Sequence, residues 1–129
     1  MIAVIIFSKS YCPYSKKAKH ILLEKYKITP PPYVVELDLH PLGQPLQNYV
    51  GGLTGRKTVP NILIQAKSIG GGDDVQALDQ SGKLIDTVLR MGGKRMKISK
   101  VLTEAEKAKE KEMKEKREAE RRKKRHFWS

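Results

Sequence analysis

The chain opens on a continuous apolar run, Ile2-Ala3-Val4-Ile5-Ile6-Phe7. Its β-branched content suits a strand buried on both faces of a sheet, so a strand is expected over residues 1–7. Pro13 fits the first turn of a helix, where its missing N–H costs little. Ala18, Ile21, Leu22 and Tyr26, with lysines between them, carry helical spacing to about Tyr26. Thr29-Pro30-Pro31-Pro32 should break that helix, and a second strand is expected over residues 33–37. The chain turns at residues 40–43 into a short helix with Leu46, Tyr49, Val50 and Leu53 as its apolar face. Thr58-Val59-Pro60 leads to a third strand over residues 61–64, and a hairpin strand follows around residues 66–69. Gly70-Gly71-Gly72 then precedes a helix starting at Asp73 or Asp74, and Ile85, Val88, Leu89 and Met91 mark a last one ending at Gly92-Gly93. The order βαβα, followed by strand, strand and helices, implies an α/β sandwich with a partly parallel sheet.

Past residue 93 the pattern changes. Thr103-Glu104-Ala105-Glu106 is a capping-box sequence. Glu110/Lys114, Glu112/Lys116, Glu118/Arg122 and Glu120/Lys124 are i,i+4 pairs in the favourable orientation. No apolar stripe accompanies them after Val101-Leu102, which predicts a solvated, charged single helix. Charge follows the same division. The 129 residues carry 26 Lys plus Arg against 14 Asp plus Glu, a net charge of +12. Residues 1–93 hold 11 basic and 7 acidic side chains, and residues 94–129 hold 15 and 7. A body (1–93) and a basic helical extension (94–129) are therefore expected. No apolar stretch reaches the roughly 18–20 residues of a membrane-spanning helix.

The chemistry centres on Cys12, the one cysteine, which stands where the first strand meets the first helix: Ser8-Lys9-Ser10-Tyr11-Cys12-Pro13-Tyr14-Ser15-Lys16-Lys17. Unpaired N–H groups at a helix N-terminus, and Lys9, Lys16 and Lys17 nearby in sequence, favour thiolate over thiol. One cysteine allows no intramolecular disulfide, so a partner must supply the second sulfur. His20, His40 and His126 are scattered, without spacing suited to zinc.

Three segments, Phe7 to Ser15 around Cys12-Pro13-Tyr14-Ser15, then Thr58-Val59-Pro60-Asn61, then Ile69-Gly70-Gly71-Gly72-Asp73-Asp74, together resemble the glutaredoxins. The resemblance spans about residues 2–93 and looks strongest toward fungal single-cysteine members of the early secretory pathway. It implies a thioredoxin-like α/β fold, a four-stranded mixed sheet flanked by helices, with the charged C-terminal helix appended. It also implies a glutathione-dependent thiol–disulfide oxidoreductase acting on glutathionylated proteins or small disulfides, with glutathione as cofactor and a monomeric state.

Residue by residue, the resemblance makes Cys12 the nucleophile and Lys9 the lysine that pairs with the glycine carboxylate of glutathione. Gln47 matches a glutamine at that same end, against the plainer reading of an exposed helix residue. Lys57 either assists with charge or is an ordinary surface lysine. Tyr14 would wall the site. Thr58, Val59 and Pro60 correspond to the family's cis-proline turn, which leaves the Val59 backbone facing the cysteinyl part of the ligand. Gly71 and Gly72 let the helix N-terminal amides hold the γ-glutamyl carboxylate, while Asp74, with Asp73, accepts from the ligand's ammonium. A simple glycine turn with an Asp N-cap is the bland reading of that segment.

Departures from the family matter too. Ser15 replaces the resolving cysteine of dithiol members, and Gly72 stands where many relatives carry a cysteine, so the monothiol route remains. Ser15 is a candidate hydrogen-bond donor to the thiolate. Relatives place a helix, and secretory ones a membrane anchor, ahead of the first strand. That favours a trimmed N-terminus and early secretory residence (ER/Golgi), whereas the chain complete as it stands would be cytoplasmic.

The alternative function is a dimer that holds a [2Fe–2S] cluster through Cys12 and two glutathione thiols, with no other metal ligand. Pro13 argues against it, because cluster-binding relatives generally carry glycine or serine there. The tail, Arg121 to Arg125 followed by His126-Phe127-Trp128, suits weak contact with an anionic membrane. A nuclear signal, nonspecific nucleic-acid contact or an idle solvated helix are its other readings, and no specific nucleic-acid partner is expected.

Overall fold

The computed structural model describes residues 3–128, so Met1, Ile2 and Ser129 lie outside it. The first apolar run forms β1 (Val4–Ser8). The part of the expected strand at residues 1–2 is not among the described residues. α1 (Pro13–Lys19) follows, with Cys12 as its extended N-cap and proline in its first turn. It continues as a π-helical segment, His20–Lys25.

At Tyr26 the helical reading fails. Tyr26–Thr29 is a strand, β2, with Tyr26 and Ile28 buried and Lys27 and Thr29 exposed. Its partner, Lys97–Lys100 (β6), comes from far along the chain and pairs with it antiparallel. Thr29-Pro30-Pro31-Pro32 therefore ends a strand rather than a helix, and the Thr29–Pro30 bond is cis. The expected division after residue 93 cuts ahead of Met96, which is buried in the core, and ahead of β6, so both pack with the body.

The remaining elements are β3 (Tyr33–Glu36), α2 (Gly43–Thr54), β4 (Asn61–Ile64), β5 (Lys67–Gly70), α3 (Gly72–Gln80), α4 (Leu84–Gly92) and α5 (Glu104–Trp128). The main sheet runs β3-β1-β4-β5. β1 is parallel to β3 and antiparallel to β4, and β4 is antiparallel to β5. This is the four-stranded mixed sheet flanked by helices that the resemblance implies.

Side-chain alternation explains the unbroken apolar run of β1. Val4 and Ile6 point into a core with Ala18, Leu22, Ile62, Ile64, Val75, Leu84 and Val88, beneath α1, α3 and α4. Ile5 and Phe7 face the other way, toward Leu37, Val50 and Leu63 under α2. The expected apolar face of α2 is only partly used. Val50 is buried and Leu46 half-buried, but Tyr49 and Leu53 are exposed.

Among the described side chains of α5, residues 104–127, none is buried. The hydroxyl of Thr103 accepts the Glu106 N–H at 3.1 Å, as the capping sequence predicts. Of the four expected i,i+4 pairs, Glu112–Lys116 is within ion-pair reach at 3.7 Å among the described residues, and Glu104–Lys107 adds an i,i+3 contact at 3.6 Å.

Candidate functional site

The loop between β1 and α1 is pinned before the cysteine is reached. Ser10 donates its N–H to Asp38 at 2.9 Å, and its hydroxyl to the other oxygen of the same carboxylate. Those two bonds hold the Asp38 carboxyl below its ordinary pKa. The Cys12 N–H turns back onto the Lys9 carbonyl at 3.1 Å, and Lys16 N–H bonds the Cys12 carbonyl to start the helix.

Ser15, in the first turn, is fully buried. Its hydroxyl oxygen accepts the Lys9 N–H at 3.2 Å, which leaves its own hydrogen for the thiol. Burial pushes the Cys12 thiol up. The Ser15 amide and hydroxyl, the Tyr14 amide and the Lys9 charge together outweigh that, and the thiol ends below its ordinary value. Lys9 is the lysine whose charge stands among the leading causes. Lys17 is committed elsewhere, to Asp73 at 3.3 Å and Gln76 at 3.1 Å, with its ammonium 5.5 Å above the Tyr14 ring.

Tyr14 forms one wall of a cleft of about 460 Å³ whose other residues are Arg56, Thr58, Val59, Pro60, Gly72, Asp73 and Asp74. That volume is in the range of small-ligand sites. Three segments distant in sequence thus meet beside the cysteine loop. The Val59–Pro60 bond is cis. Among the described residues none pairs with the Val59 N–H or C=O, so both remain available to a ligand. The start of α3 comes close to the start of α1, since a Cβ at Gly72 would lie 2.6 Å from the Tyr14 carbonyl oxygen.

Other residues named from sequence sit around this cleft rather than in it. Gln47 lies across the 56–59 loop, its amide donating to the Lys57 carbonyl at 3.0 Å. It lines a smaller space with Phe7, Leu37, Val50, Arg56, Thr58, Val59 and Asn61. Lys57 is exposed. Both carboxylates meant for a ligand's ammonium already have protein partners. Asp73 pairs with Lys17, and Asp74 Oδ2 accepts the Gly71 N–H at 2.8 Å. Gly71 adjoins Arg56, whose guanidinium occupies the space a Cβ there would need. Among the described residues no group of three His, Cys, Asp or Glu gathers to hold a metal ion, so a cluster would draw one thiolate, Cys12, from each chain.

A larger cavity of about 700 Å³ lies toward the far end of α3, between the π-helical segment and the start of α5. Lys25 and Asp79 pair within it, and Cys12 lines neither space. The smaller cleft, walled by Tyr14 two residues past Cys12, is the candidate site.

Two residues to which the sequence reading assigned no role shape the site. Arg56 donates through Nε to the Pro60 carbonyl at 3.1 Å and approaches Asp74 at 3.9 Å. Asn61, 2 % exposed, is a polar node: its amide donates to Thr54 Oγ1 at 3.0 Å and the Arg56 carbonyl at 3.4 Å, and its oxygen accepts from Ser68 at 2.6 Å. Ser68 in turn accepts the Gly70 N–H, so one chain of bonds joins the cis-proline loop to the glycine turn. An asparagine heading the otherwise apolar strand Asn61-Ile62-Leu63-Ile64 was the available signal. The direction of the Arg56 side chain had none.

The comparisons with known proteins agree with this geometry. The Glutaredoxin family profile matches residues 4–69. Monothiol glutaredoxin-7 of Saccharomyces cerevisiae is 44% identical over 84 residues, which are 65% of this chain and 41% of the yeast protein, so the chain spans less than half of that relative's length. Glutaredoxin-C4 of Arabidopsis thaliana is 42% identical over 95 residues, 74% of this chain and 68% of the plant protein. Among solved structures, the buckwheat glutaredoxin–glutathione complex superposes with a TM-score of 0.59 at 32% identity, covering 70% of this chain and 79% of that one. With its thiol at a helix start, a cis-proline turn sharing a cleft with Tyr14 and a matching profile over half its length, the chain belongs to the glutaredoxin family.

Proposed function

We propose that the chain is a glutathione-dependent thiol–disulfide oxidoreductase working by a monothiol route. The observation that carries this reading is Cys12: the one cysteine, at the N-cap of α1, with its thiol held below the ordinary pKa. The Cys12 thiolate attacks the glutathione sulfur of a mixed disulfide, forming Cys12–S–S–glutathione and releasing the substrate as a thiolate. A second glutathione thiolate attacks the glutathione sulfur of that bond. Oxidised glutathione leaves, and the bond's electrons return to Cys12. A low thiol pKa makes Cys12 the better leaving group in this last step.

The cleft supplies binding. The free Val59 N–H and C=O pair with the cysteinyl backbone of glutathione, as an added strand would. Lys9 and Gln47 take the glycine end, and the start of α3 takes the γ-glutamyl end with Asp73 and Asp74. The likeness to the buckwheat complex, whose bound partner is glutathione, supports this placement. The substrates are glutathionylated proteins or small disulfides, and the acting species is a monomer. Residence in the early secretory pathway (ER/Golgi) and a likeness to fungal members of that compartment belong to the same proposal. So does weak contact of the Arg121–Arg125 end with anionic membranes.

Turnover of a glutathione mixed disulfide, coupled to glutathione reductase and NADPH, tests the central step. Activity that vanishes in Cys12→Ser supports it. No activity above that control overturns it and brings forward the cluster-holding dimer. A coloured dimer after anaerobic reconstitution with iron, sulfide and glutathione would then be the supporting result. Vesicle co-sedimentation unchanged on removing residues 103–129 would end the membrane proposal, and a tagged chain excluded from ER and Golgi markers would end the compartment proposal.

A further inference from the structure

Arg56 stands where the cis-proline turn faces the start of α3, and its base is held rigidly. Its N–H donates to Thr54 Oγ1 at 3.2 Å, and its carbonyl accepts from the buried Asn61 amide. Nε is spent on the Pro60 carbonyl, so the two outer nitrogens project across the cleft toward Gly71 and Asp74. Among the described residues those outer nitrogens find no acceptor within hydrogen-bond distance there. Its 3.9 Å approach to Asp74 Oδ2 is longer than a hydrogen bond, and that oxygen takes its bond from the Gly71 N–H instead. The side chain is about one third exposed and lines the cleft. Asp73, the other charge at this end, is engaged with Lys17.

A cation fixed through Nε and lacking a close acceptor is suited to a carboxylate, which a planar guanidinium can grip with two parallel bonds. Glutathione offers one at its γ-glutamyl end, on the same carbon as an ammonium. We propose that Arg56 is a specificity-determining residue: its outer nitrogens take the γ-glutamyl α-carboxylate, and the loose approach to Asp74 is given up on binding, freeing Asp74 for the neighbouring ammonium. This rests on the reading that the cleft takes glutathione, and it adds the residue that tells a γ-glutamyl thiol from one lacking the α-carboxylate. Arg56 touches the ligand far from the sulfur, so its loss should weaken recognition and leave the thiol chemistry alone.

The test uses the whole chain and two mixed disulfides of one peptide thiol. One carries glutathione, and the other carries 4-aminobutanoyl-cysteinyl-glycine, which lacks only that carboxylate. The wild type should favour glutathione in kcat/KM by roughly tenfold or more, the size of a charged hydrogen bond. Arg56→Gln should lose about that factor on glutathione while staying within about twofold on the analogue, and Arg56→Lys should recover part of it. An unchanged Cys12 alkylation rate and melting temperature in both variants separates recognition from damage. Equal losses on both disulfides, or no loss on either, overturn the assignment. A wild type that turns over neither disulfide removes the oxidoreductase reading instead. Calorimetric titration with S-methylglutathione and the S-methyl analogue then decides Arg56: the same preference, lost in Arg56→Gln, supports it, and equal affinities or no binding overturn it.

Discussion

Two stretches of this chain are rich in lysine, and they are fastened in different ways. In α1 and its π-helical continuation, Lys17, Lys19 and Lys25 reach acids on other elements: Asp73, Glu36 and Asp79. The same stretch buries Ser15, Ala18, Ile21 and Leu22 against the sheet and its neighbours. In α5, Glu104–Lys107 and Glu112–Lys116 stay within a turn of the helix. Local pairs of that kind add roughly 0.2–0.5 kcal/mol to a helix and say nothing of where it points. Pairs between elements orient one against another, and near Cys12 that orientation is what assembles the cleft.

The comparison breaks first, if it breaks, at Asp79. Its carboxylate is almost buried, with a side-chain exposure of 6 %, and it accepts from both Lys25 and the Tyr26 hydroxyl, the latter at 2.6 Å. Asp79→Ala strands a buried hydroxyl and should cost about 1–3 kcal/mol in urea unfolding. Glu112→Ala in α5 should cost no more than about 0.5 kcal/mol. Equal losses would mean that the long-range contacts matter no more than the local ones.

The same contact has a pH signature. Burial, then the hydrogen bond to Asp79, raise the Tyr26 hydroxyl from 10.0 to about 12. A group whose pKa is raised on folding contributes stability that is complete below its unfolded value and lost as pH climbs through the folded one. Between pH 10 and about 12 the wild type should therefore lose about 2 kcal/mol more than Tyr26→Phe. Parallel stability curves over that window would contradict it. Asp79 works at the other end. Burial raises it, but Lys25 and Tyr26 bring it below its ordinary value, so its contribution fades only as pH falls through that depressed pKa.

At the thiol the comparison becomes one of dipoles against charges. Ser15→Ala removes a hydroxyl that lowers the Cys12 pKa and should slow alkylation at neutral pH several-fold. Lys16→Met removes a full charge from the adjacent turn and should change that rate less than twofold. A larger effect from Lys16 would restore the weight that sequence proximity gave it.

The sequence was legible wherever a pattern was local. The β1 run, the Cys12–Pro13 helix start, the β4–β5 hairpin and the glycine turn into α3 lie where spacing put them, because each is decided by neighbouring residues. β2 and β6 were not legible. Tyr26 shares the helical spacing of the residues before it, and only Ile98 and its neighbours, some seventy residues on, make Tyr26–Thr29 a strand. At α2 the spacing of Leu46, Tyr49, Val50 and Leu53 was right for a helix but not for burial, since the sheet covers only the Val50 side. The site divided similarly. Motif backbone and Cys12 were readable, whereas Arg56 depends on a long side chain crossing between two loops, and Asp73 on a lysine from α1.

The smallest expected effect is the sharpest test of the contrast. α5 contains what a helix needs to stand alone: the Thr103 cap, Glu104 and Glu106 in its first turn, Arg125 and His126 in its last, and 25 residues against the roughly 12–15 at which isolated helices become marginal. None of these features is borrowed from the body. Ending the chain after Leu102 should therefore remove helical ellipticity in proportion to the residues lost and leave the urea midpoint of the remainder within about 0.5 kcal/mol. Thr103 and Glu106 do edge the cavity beside His20 and Lys25, so a real anchor has somewhere to form. A loss above about 1 kcal/mol would locate it there, and α5 would then be fastened to the body as α1 is.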